Sequence, residues 1–381
     1  MKILLVSISN HHFFQWANQL KDCGHEVYWF DVMDGGPRSE KIQWVNQIKG
    51  WKMRWDFPLR QTIKAISPKC YRFIQNLNER NTVTVFEKII KTIQPDLVHC
   101  FEMNLSGLPI LSVMQNHKKI KFTYSSWGSD MYYFKEHGVT VVKVQKFLQR
   151  VDYLITDCHR DYRIAVANGY TNKFLGVYPG NGGIDYTTDN IQPIANRKFI
   201  LIKGYESFGC KASKIVDALQ LLPIASFENF EIIIYSADAA IIEKVNSAPF
   251  FKKCKHQIIA RTTFVDNKKM LKMMGMASIH VSNNISDGMP NTLLESVGMG
   301  AFPVQSNPGN ASAEVITHGI NGYLITDPLD ENEIATWIEK AISNVNLRTQ
   351  AQEINIKLAQ RNYTRAILKT KISQLYQEIF L

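Results

Sequence analysis

The sequence predicts an α/β protein built from two serial parallel-sheet halves, and three observations carry that expectation. Short apolar runs alternate with helix-patterned segments as far as about Tyr178. A stretch rich in Gly, Pro, Asn and Asp then breaks the pattern, after which the alternation restarts. Strand and helix alternating at this spacing is the signature of a parallel sheet covered on both faces. A length of 381 residues suits two such domains.

The elements follow in order. KILLVSI reads as a buried first strand, FFQWANQLKDCG as a helix ended by Gly24, and HEVYWF as a second strand. TVFEKIIKTIQ is helical and stops before Pro95, and DLVHCF is a strand. KIKFTYSS, DYLITD and KFLGVY are further strands separated by helical segments. YPGNGGIDYTTDNIQPIANR, at 178–197, is a hinge by composition. RKFILIKG, NFEIIIYSA, HQIIA and ASIHVS then alternate with helices such as KASKIVDALQLL, and the tail from about Asn332 is helical to AILKTKISQLYQEIF. Two such halves joined by a hinge would place a ligand cleft at the carboxyl ends of their strands.

Composition excludes several classes. Hydrophobic residues make up 45% and charged residues 20%, as in ordinary globular proteins, so a disordered chain, collagen and a coiled coil are ruled out. No apolar run reaches the roughly 18–20 residues of a membrane-spanning helix. The opening MKILLVSISN runs into His11, His12 and Gln15, which reads as a strand and not a signal peptide, so a cytoplasmic protein is expected. The six cysteines show no C-x-x-C pair and are expected to be reduced.

The formal charge is +10, and +8 of it lies between Arg38 and Lys91, with Lys49, Lys52, Arg54 and Arg60 among the basic residues. Trp44, Trp51, Trp55, Phe57, Tyr71 and Phe73 are interleaved with them. Three readings fit this segment: an anionic membrane surface, single-stranded nucleic acid, or a solvated helical face with its aromatics turned inward.

Several motifs fail. No G-x-G-x-x-G follows the first strand, which runs instead into Ser7-Ile8-Ser9-Asn10-His11-His12, so a simple NAD fold is not expected. No D-x-D occurs, so no loop offers paired carboxylates to a metal–diphosphate, and the adjacent His11 and His12 point apart. Gly204 to Ser213 imitates a Walker A loop with one residue too many before Lys211. Its physical content is a strand, a glycine-containing loop with Lys203 and Lys211, and a helix start, which together could cradle an anion.

The most informative stretch is SNNISDGMPNTLLESVGMGAFPVQSNPGNASAEVITHGINGY, from Ser282 to Tyr323. Asp287-Gly288-Met289-Pro290-Asn291 is a turn leading into a helix, with Pro290 expected at its first position. The N–H groups of Asn291, Thr292 and Leu293 are expected to be open to a phosphate, worth about 0.3–2 kcal/mol through the helix dipole. Asp287 and Glu295 lie eight positions apart and could reach opposite ends of a nucleotide-sugar.

These residues resemble the signature of the retaining glycosyltransferases of family 4 (group 1): two acidic residues with seven between them, in a stretch like S-E-G-x-P-N-x-L-L-E-A-x-A-x-G-x-P-V. Asp287 stands where the first glutamate is usual. Gly24-His25-Glu26-Val27, Pro95-Asp96-Leu97-Val98-His99, Trp127-Gly128-Ser129-Asp130, Asn181-Gly182-Gly183-Ile184-Asp185 and Asn321-Gly322-Tyr323 match further family segments in order. The resemblance implies the GT-B architecture, two Rossmann-like parallel-sheet domains facing each other across a cleft. The expected domains are 1–185 for the acceptor and 186–363 for the donor, with the helix at 364–381 returning to the first.

By resemblance, Glu295 holds the ribose and Asp287 a donor-sugar hydroxyl, with Gly288, Met289, Asn291, Thr292 and Leu293 lining the donor site. Lys203 and Lys211 neutralise the diphosphate, although the family usually has Arg followed by Lys five residues on, and here the spacing is eight. Trp127 replaces a histidine that commonly contacts the transferred sugar, and Trp127, Ser129, Asp130 and Glu102 are the acceptor-side candidates. The implied activity is transfer from a nucleoside-diphosphate sugar, a UDP- or GDP-sugar, to a glycan or lipid-linked acceptor in cell-surface polysaccharide or glycolipid synthesis. Retention of anomeric configuration is implied, with no metal or other cofactor expected. That function favours a peripheral position on the inner face of the membrane over nucleic acid for the segment 38–91. A nucleotide-sugar 2-epimerase and an inactive GT-B partner subunit are the alternatives.

Overall fold

Unbroken apolar runs become strands buried on both faces, which is how parallel sheets differ from half-exposed antiparallel ones. The computed structural model describes residues 1–55, 60–185, 187–207 and 209–380. Phe57 and Phe208, and the side chain of Arg60, lie outside the described residues. The chain divides into two units. The first comprises Met1–Thr156, Tyr162–Asn181 and Ile372–Leu381, the second Asp157–Asp161 and Gly182–Lys371.

In the first unit the strands are β1 (Lys2–Ser7), β2 (Glu26–Asp31), β3 (Asn46–Ile48), β4 (Leu97–Phe101), β5 (Lys121–Ser125), β6 (Tyr153–Thr156) and β7 (Lys173–Val177). They form one sheet in the order β3-β2-β1-β4-β5-β6-β7 with parallel pairings. The order reverses between β1 and β4, and open α/β sheets bind ligands at the carboxyl edge of such a switch point. Asn10 caps the helix His11–Asn18 by accepting from the Phe13 amide at 2.8 Å. That helix presses Phe13, Phe14 and Trp16 inward, where Phe13 and Phe14 meet Trp29. Phe86 and Ile90 of the helix Thr82–Ile93 join Phe30 and Val98 in the unit's large core, and that helix ends at Gln94 in a left-handed turn before Pro95.

The second unit repeats the plan with β8 (Phe199–Lys203), β9 (Glu231–Ala237), β10 (His256–Ala260), β11 (Ala277–Ser282), β12 (Phe302–Ser306) and β13 (Tyr323–Ile325), in the order β10-β9-β8-β11-β12-β13. Strand alternation is visible in its core: Ile200, Ile202, Ile232 and Ile234 face one apolar cluster, while Leu201 and Ile233 face another. Its switch point lies between β8 and β11.

The helix Arg365–Glu378 is divided at Lys371, its residues from Ile372 onward counting with the first unit. There Tyr376 receives the Trp16 indole N–H at 3.1 Å and sits 2.6 Å from His99 Nδ1, while His99 Nε2 lies 2.8 Å from Ser125 Oγ. Burial lowers the His99 pKa to about 3, so the ring is neutral. The described cysteines are free thiols. Among the described residues no helix is long and apolar enough to cross a membrane.

The basic segment is less uniform than its composition suggests. Lys49 is buried against Asp31 at 2.6 Å, with side-chain exposures of 6% and 0%, and is therefore a structural cation. Trp51 and Tyr71 are buried as well. The helix Pro68–Asn78 and the helix Arg60–Ile66 before it are different: Ile66, Phe73 and Leu77 are 79%, 66% and 56% exposed, beside exposed Lys64, Lys69 and Arg72.

Candidate active site

Lys203 is the last residue of β8, and its ammonium acts electrostatically on Asp287, Glu295 and His280. Asp287 lies in the loop after β11. Its Oδ2 accepts from Asn284 Nδ2 at 2.8 Å and its Oδ1 from the Gly288 amide at 3.0 Å. Burial raises its pKa, opposed by Lys203 and by these hydrogen bonds. Glu295 sits inside the helix Asn291–Gly298, where burial pushes its carboxyl up to about 7 against the pull of Lys203. His280 is fixed by the Tyr235 hydroxyl at 2.9 Å, and burial together with Lys203 lowers its pKa to about 3. The end of β8, the loop after β11 and the helix that follows it thus bring Lys203, Asp287 and Glu295 into one electrostatic group.

Pro290 is the cap of the helix Asn291–Gly298, one position earlier than the sequence suggested. The Leu293 amide bonds the Pro290 carbonyl at 3.0 Å, so it is not open to a ligand as expected, because the first turn tightens onto its cap. Gly288 is where the backbone needs the absence of a side chain: a Cβ there would lie 1.8 Å from Asp157 Oδ2. Met289 is mostly buried, and its amide donates to the same Asp157 oxygen at 3.1 Å.

Lys211 is placed differently from Lys203. Its ammonium donates to the Ser207 carbonyl at 3.2 Å, and its amide to Asn283 O at 2.9 Å. The helix that follows, Ala212–Gln220, does not present an open anion cradle, because Glu206 caps the Ser213 amide at 2.8 Å with its own carboxylate. The cation that sequence reasoning missed is Arg261, directly after β10. Its guanidinium lies 4.3 Å from the Tyr205 ring centre, with Lys203 Nζ at 4.8 Å from the same ring, and it pairs with Asp238 at 3.1 Å.

In the first unit, Glu102 follows β4 with φ +70° and ψ 129°, a conformation non-glycine residues rarely adopt. It caps the π-helical turn Met103–Gly107, accepting from the Asn104 amide at 2.8 Å and from the Leu105 amide. A strained residue followed by a π-turn is a pattern concentrated at functional sites. Asp130 accepts from the Met103 amide at 2.7 Å, the Tyr124 hydroxyl at 2.6 Å and the Trp127 amide at 2.9 Å. Burial, reinforced by Asp130, pushes Glu102 up to about 8, so it is mostly protonated at neutral pH. Trp127 follows β5, with His12 and Phe101 against its ring at 6.4 and 6.3 Å, and its buried Nε1 meets no acceptor among the described residues. Ser129 opens the short helix Ser129–Tyr132. The structure therefore gathers Glu102, Trp127, Ser129 and Asp130 around the ends of β4 and β5.

Among the described residues, Asp157, Cys158 and Asp161 form a group with metal-ligating atoms within 4.8 Å of one another. Arg160 already neutralises Asp161 at 2.8 Å. Asp157 and Arg160 were not singled out in the sequence; the signal was the dense polar run TDCHRD directly after a strand.

Two Rossmann-like units, each with polar groups gathered at strand ends, have the GT-B architecture of glycosyltransferases, as the comparisons show. Residues 199–358 match the family model of glycosyl transferases group 1, and residues 76–158 that of glycosyl transferase 4-like domains. Residues 199–358 therefore form a group 1 glycosyltransferase domain, in a chain whose fold is that of the GT-B glycosyltransferases. A sucrose-phosphate synthase from Thermosynechococcus elongatus is similar with a TM-score of 0.70 at 13% identity, covering 100% of this chain and 99% of that one. Anabaena Alr3699/HepE in complex with UDP has a TM-score of 0.68 at 11% identity, covering 99% and 100%. A glycosyltransferase from Rickettsia africae has a TM-score of 0.67 at 16% identity, covering 100% and 98%. At such identities the likeness speaks for the fold. No curated protein matches in sequence.

Proposed function

We propose that the chain transfers a sugar from a nucleoside-diphosphate sugar to a glycan or lipid-linked acceptor, with retention of anomeric configuration. The observation that carries this reading is the electrostatic pull of Lys203, at the end of β8, on Asp287 in the loop after β11 and on Glu295 in the helix that follows. Breaking the sugar–phosphate bond builds positive charge on the anomeric carbon and negative charge on the departing diphosphate. A fixed ammonium and a helix start stabilise that leaving charge. The new bond joins the acceptor oxygen to the anomeric carbon. The acceptor proton passes to the diphosphate oxygen on the same face, so neither a metal nor a protein nucleophile is required. In this reading Glu295 binds ribose hydroxyls, Asp287 a sugar hydroxyl, and Lys203 the diphosphate, with Lys211 as the second cation although it stands eight residues on where the family has five. Trp127, Ser129, Asp130 and Glu102 bind the acceptor, the unsatisfied indole N–H of Trp127 being a ready donor to a sugar oxygen.

The Anabaena protein has been solved with UDP and with UDP-glucose, which supports a UDP-sugar ahead of a GDP-sugar here. A role in cell-surface polysaccharide or glycolipid synthesis, on the inner membrane face, rests on exposed Phe73 and Leu77 beside Lys69 and Arg72. A thermal-shift panel of UDP, GDP, ADP and their sugars tests the donor. A UDP-specific rise in melting temperature supports the reading, and no rise with any nucleotide overturns it. Activity surviving a chelator is the expected result for a metal-free mechanism; loss restored by Mn²⁺ would reverse it.

A further inference from the structure

The segment Asp157–Asp161 follows β6 in the chain yet is built into the second unit, where it touches the turn carrying Asp287. Asp157 Oδ2 accepts the Met289 amide at 3.1 Å. Arg160 Nη1 donates to the Asp287 main-chain carbonyl at 2.7 Å and to the Pro308 carbonyl at 2.9 Å. Its Nε and Nη2 converge on Asp161 Oδ1 at 2.9 and 2.8 Å, which fixes the guanidinium plane. Glu314 in turn accepts the His159 amide at 2.8 Å and the Arg160 amide at 3.3 Å, closing the segment from the other end. Asp157, Arg160 and Asp161 are all buried.

We propose that Asp157 and Arg160 form a clamp that sets the position of the Asp287–Met289 turn, and so the grip on the donor sugar as opposed to the nucleotide. The proposal deepens the donor reading above and rests on it. Charge-assisted hydrogen bonds of this kind are short and directional, and together they hold both peptide units that flank Gly288. Gly288 completes the arrangement, since a methyl group there would occupy the place of the Asp157 carboxylate. The bonds from Asp157 and Arg160 to the turn fall on its Asp287 and Met289 peptide groups, whereas Lys203, at the end of β8, and Glu295, inside the following helix, are the groups assigned to diphosphate and ribose. Asp157 and Arg160 are thus positioning residues, and their effect is confined to the sugar end.

Two measurements on the full chain test this. In Asp157→Ala, amide hydrogen exchange over residues 286–293 is expected to accelerate at least tenfold, with the melting temperature little changed. In Asp157→Asn, whose amide oxygen still accepts from Met289, exchange is expected to stay near that of the parent. Titration calorimetry with UDP and UDP-glucose supplies the second readout. Asp157→Ala, Arg160→Lys and Gly288→Ala are expected to weaken UDP-glucose about tenfold relative to the parent and leave UDP unchanged. Unaltered exchange in Asp157→Ala, or equal losses for UDP and UDP-glucose, would overturn the clamp. Exchange needs no ligand, so it decides the clamp even for a parent that binds neither, a result that would count against the donor reading instead.

Discussion

His99 Nδ1 lies 2.6 Å from the hydroxyl of Tyr376 although 277 residues separate the two in sequence. The same hydroxyl receives the Trp16 indole, so one oxygen joins β4, the first helix and the C-terminal helix inside one unit. Tyr376→Phe removes that oxygen and leaves two buried polar groups without their partner. A loss of about 1–3 kcal/mol in unfolding free energy is expected. An unchanged denaturant midpoint would show the bonds to be idle.

Glu102 gives a pH prediction of definite sign. Its folded pKa of about 8 stands above the ordinary value of 4.5, so the folded state holds more protons than the unfolded state between those limits. Its contribution to stability is therefore present in acid and is lost as pH rises from about 4.5 through 8. Glu102→Gln mimics the protonated acid and should flatten that loss. An identical slope in parent and variant would place the titration elsewhere.

Trp127→Phe keeps a ring against His12 and Phe101 but deletes the buried N–H. If that hydrogen serves a sugar oxygen, acceptor KM should rise about tenfold, the equivalent of roughly 1.4 kcal/mol, with little change in melting temperature. Steady-state kinetics with varied acceptor reads this directly.

Glu295→Ala should abolish detectable turnover and weaken nucleoside-diphosphate binding about 10- to 100-fold, the size expected for lost charge-assisted hydrogen bonds. Unchanged nucleotide affinity, measured by calorimetry, would remove Glu295 from the ribose site.

Two groups of lysines and arginines in the same basic segment should behave oppositely. Lys49→Met leaves Asp31 buried and unpaired and should cost about 3–5 kcal/mol of stability. Replacing Lys64, Lys69 and Arg72 together by Gln should leave stability nearly unaltered and reduce sedimentation with anionic vesicles. A parent that ignores such vesicles would refute the membrane assignment.

Much of this was legible in the sequence because apolar runs and cap residues act locally. KILLVSI and ASIHVS are strands for the reason their composition suggests, and Asp287 and Glu295 flank the helix start that the motif implied. What escaped depended on partners distant in the chain. Nothing adjacent to Lys49 marks it as buried, since Asp31 lies on another strand. Glu206 filling the helix start at Ser213 is a side-chain rotamer outcome and not a spacing. Arg261 and Lys203 share the Tyr205 ring only because β10, β9 and β8 lie side by side.

The division of the helix Arg365–Glu378 has a consequence for biosynthesis. A ribosome delivers most of the first unit by residue 181, but Trp16, His99 and Lys121 find their partners Tyr376 and Ile379 only in a stretch made after residue 371. Every residue of the second unit has been made before the first unit is complete. The order of completion therefore reverses the order of translation, and the N-terminal sheet must wait, with its polar groups hydrated, while its neighbour is synthesised.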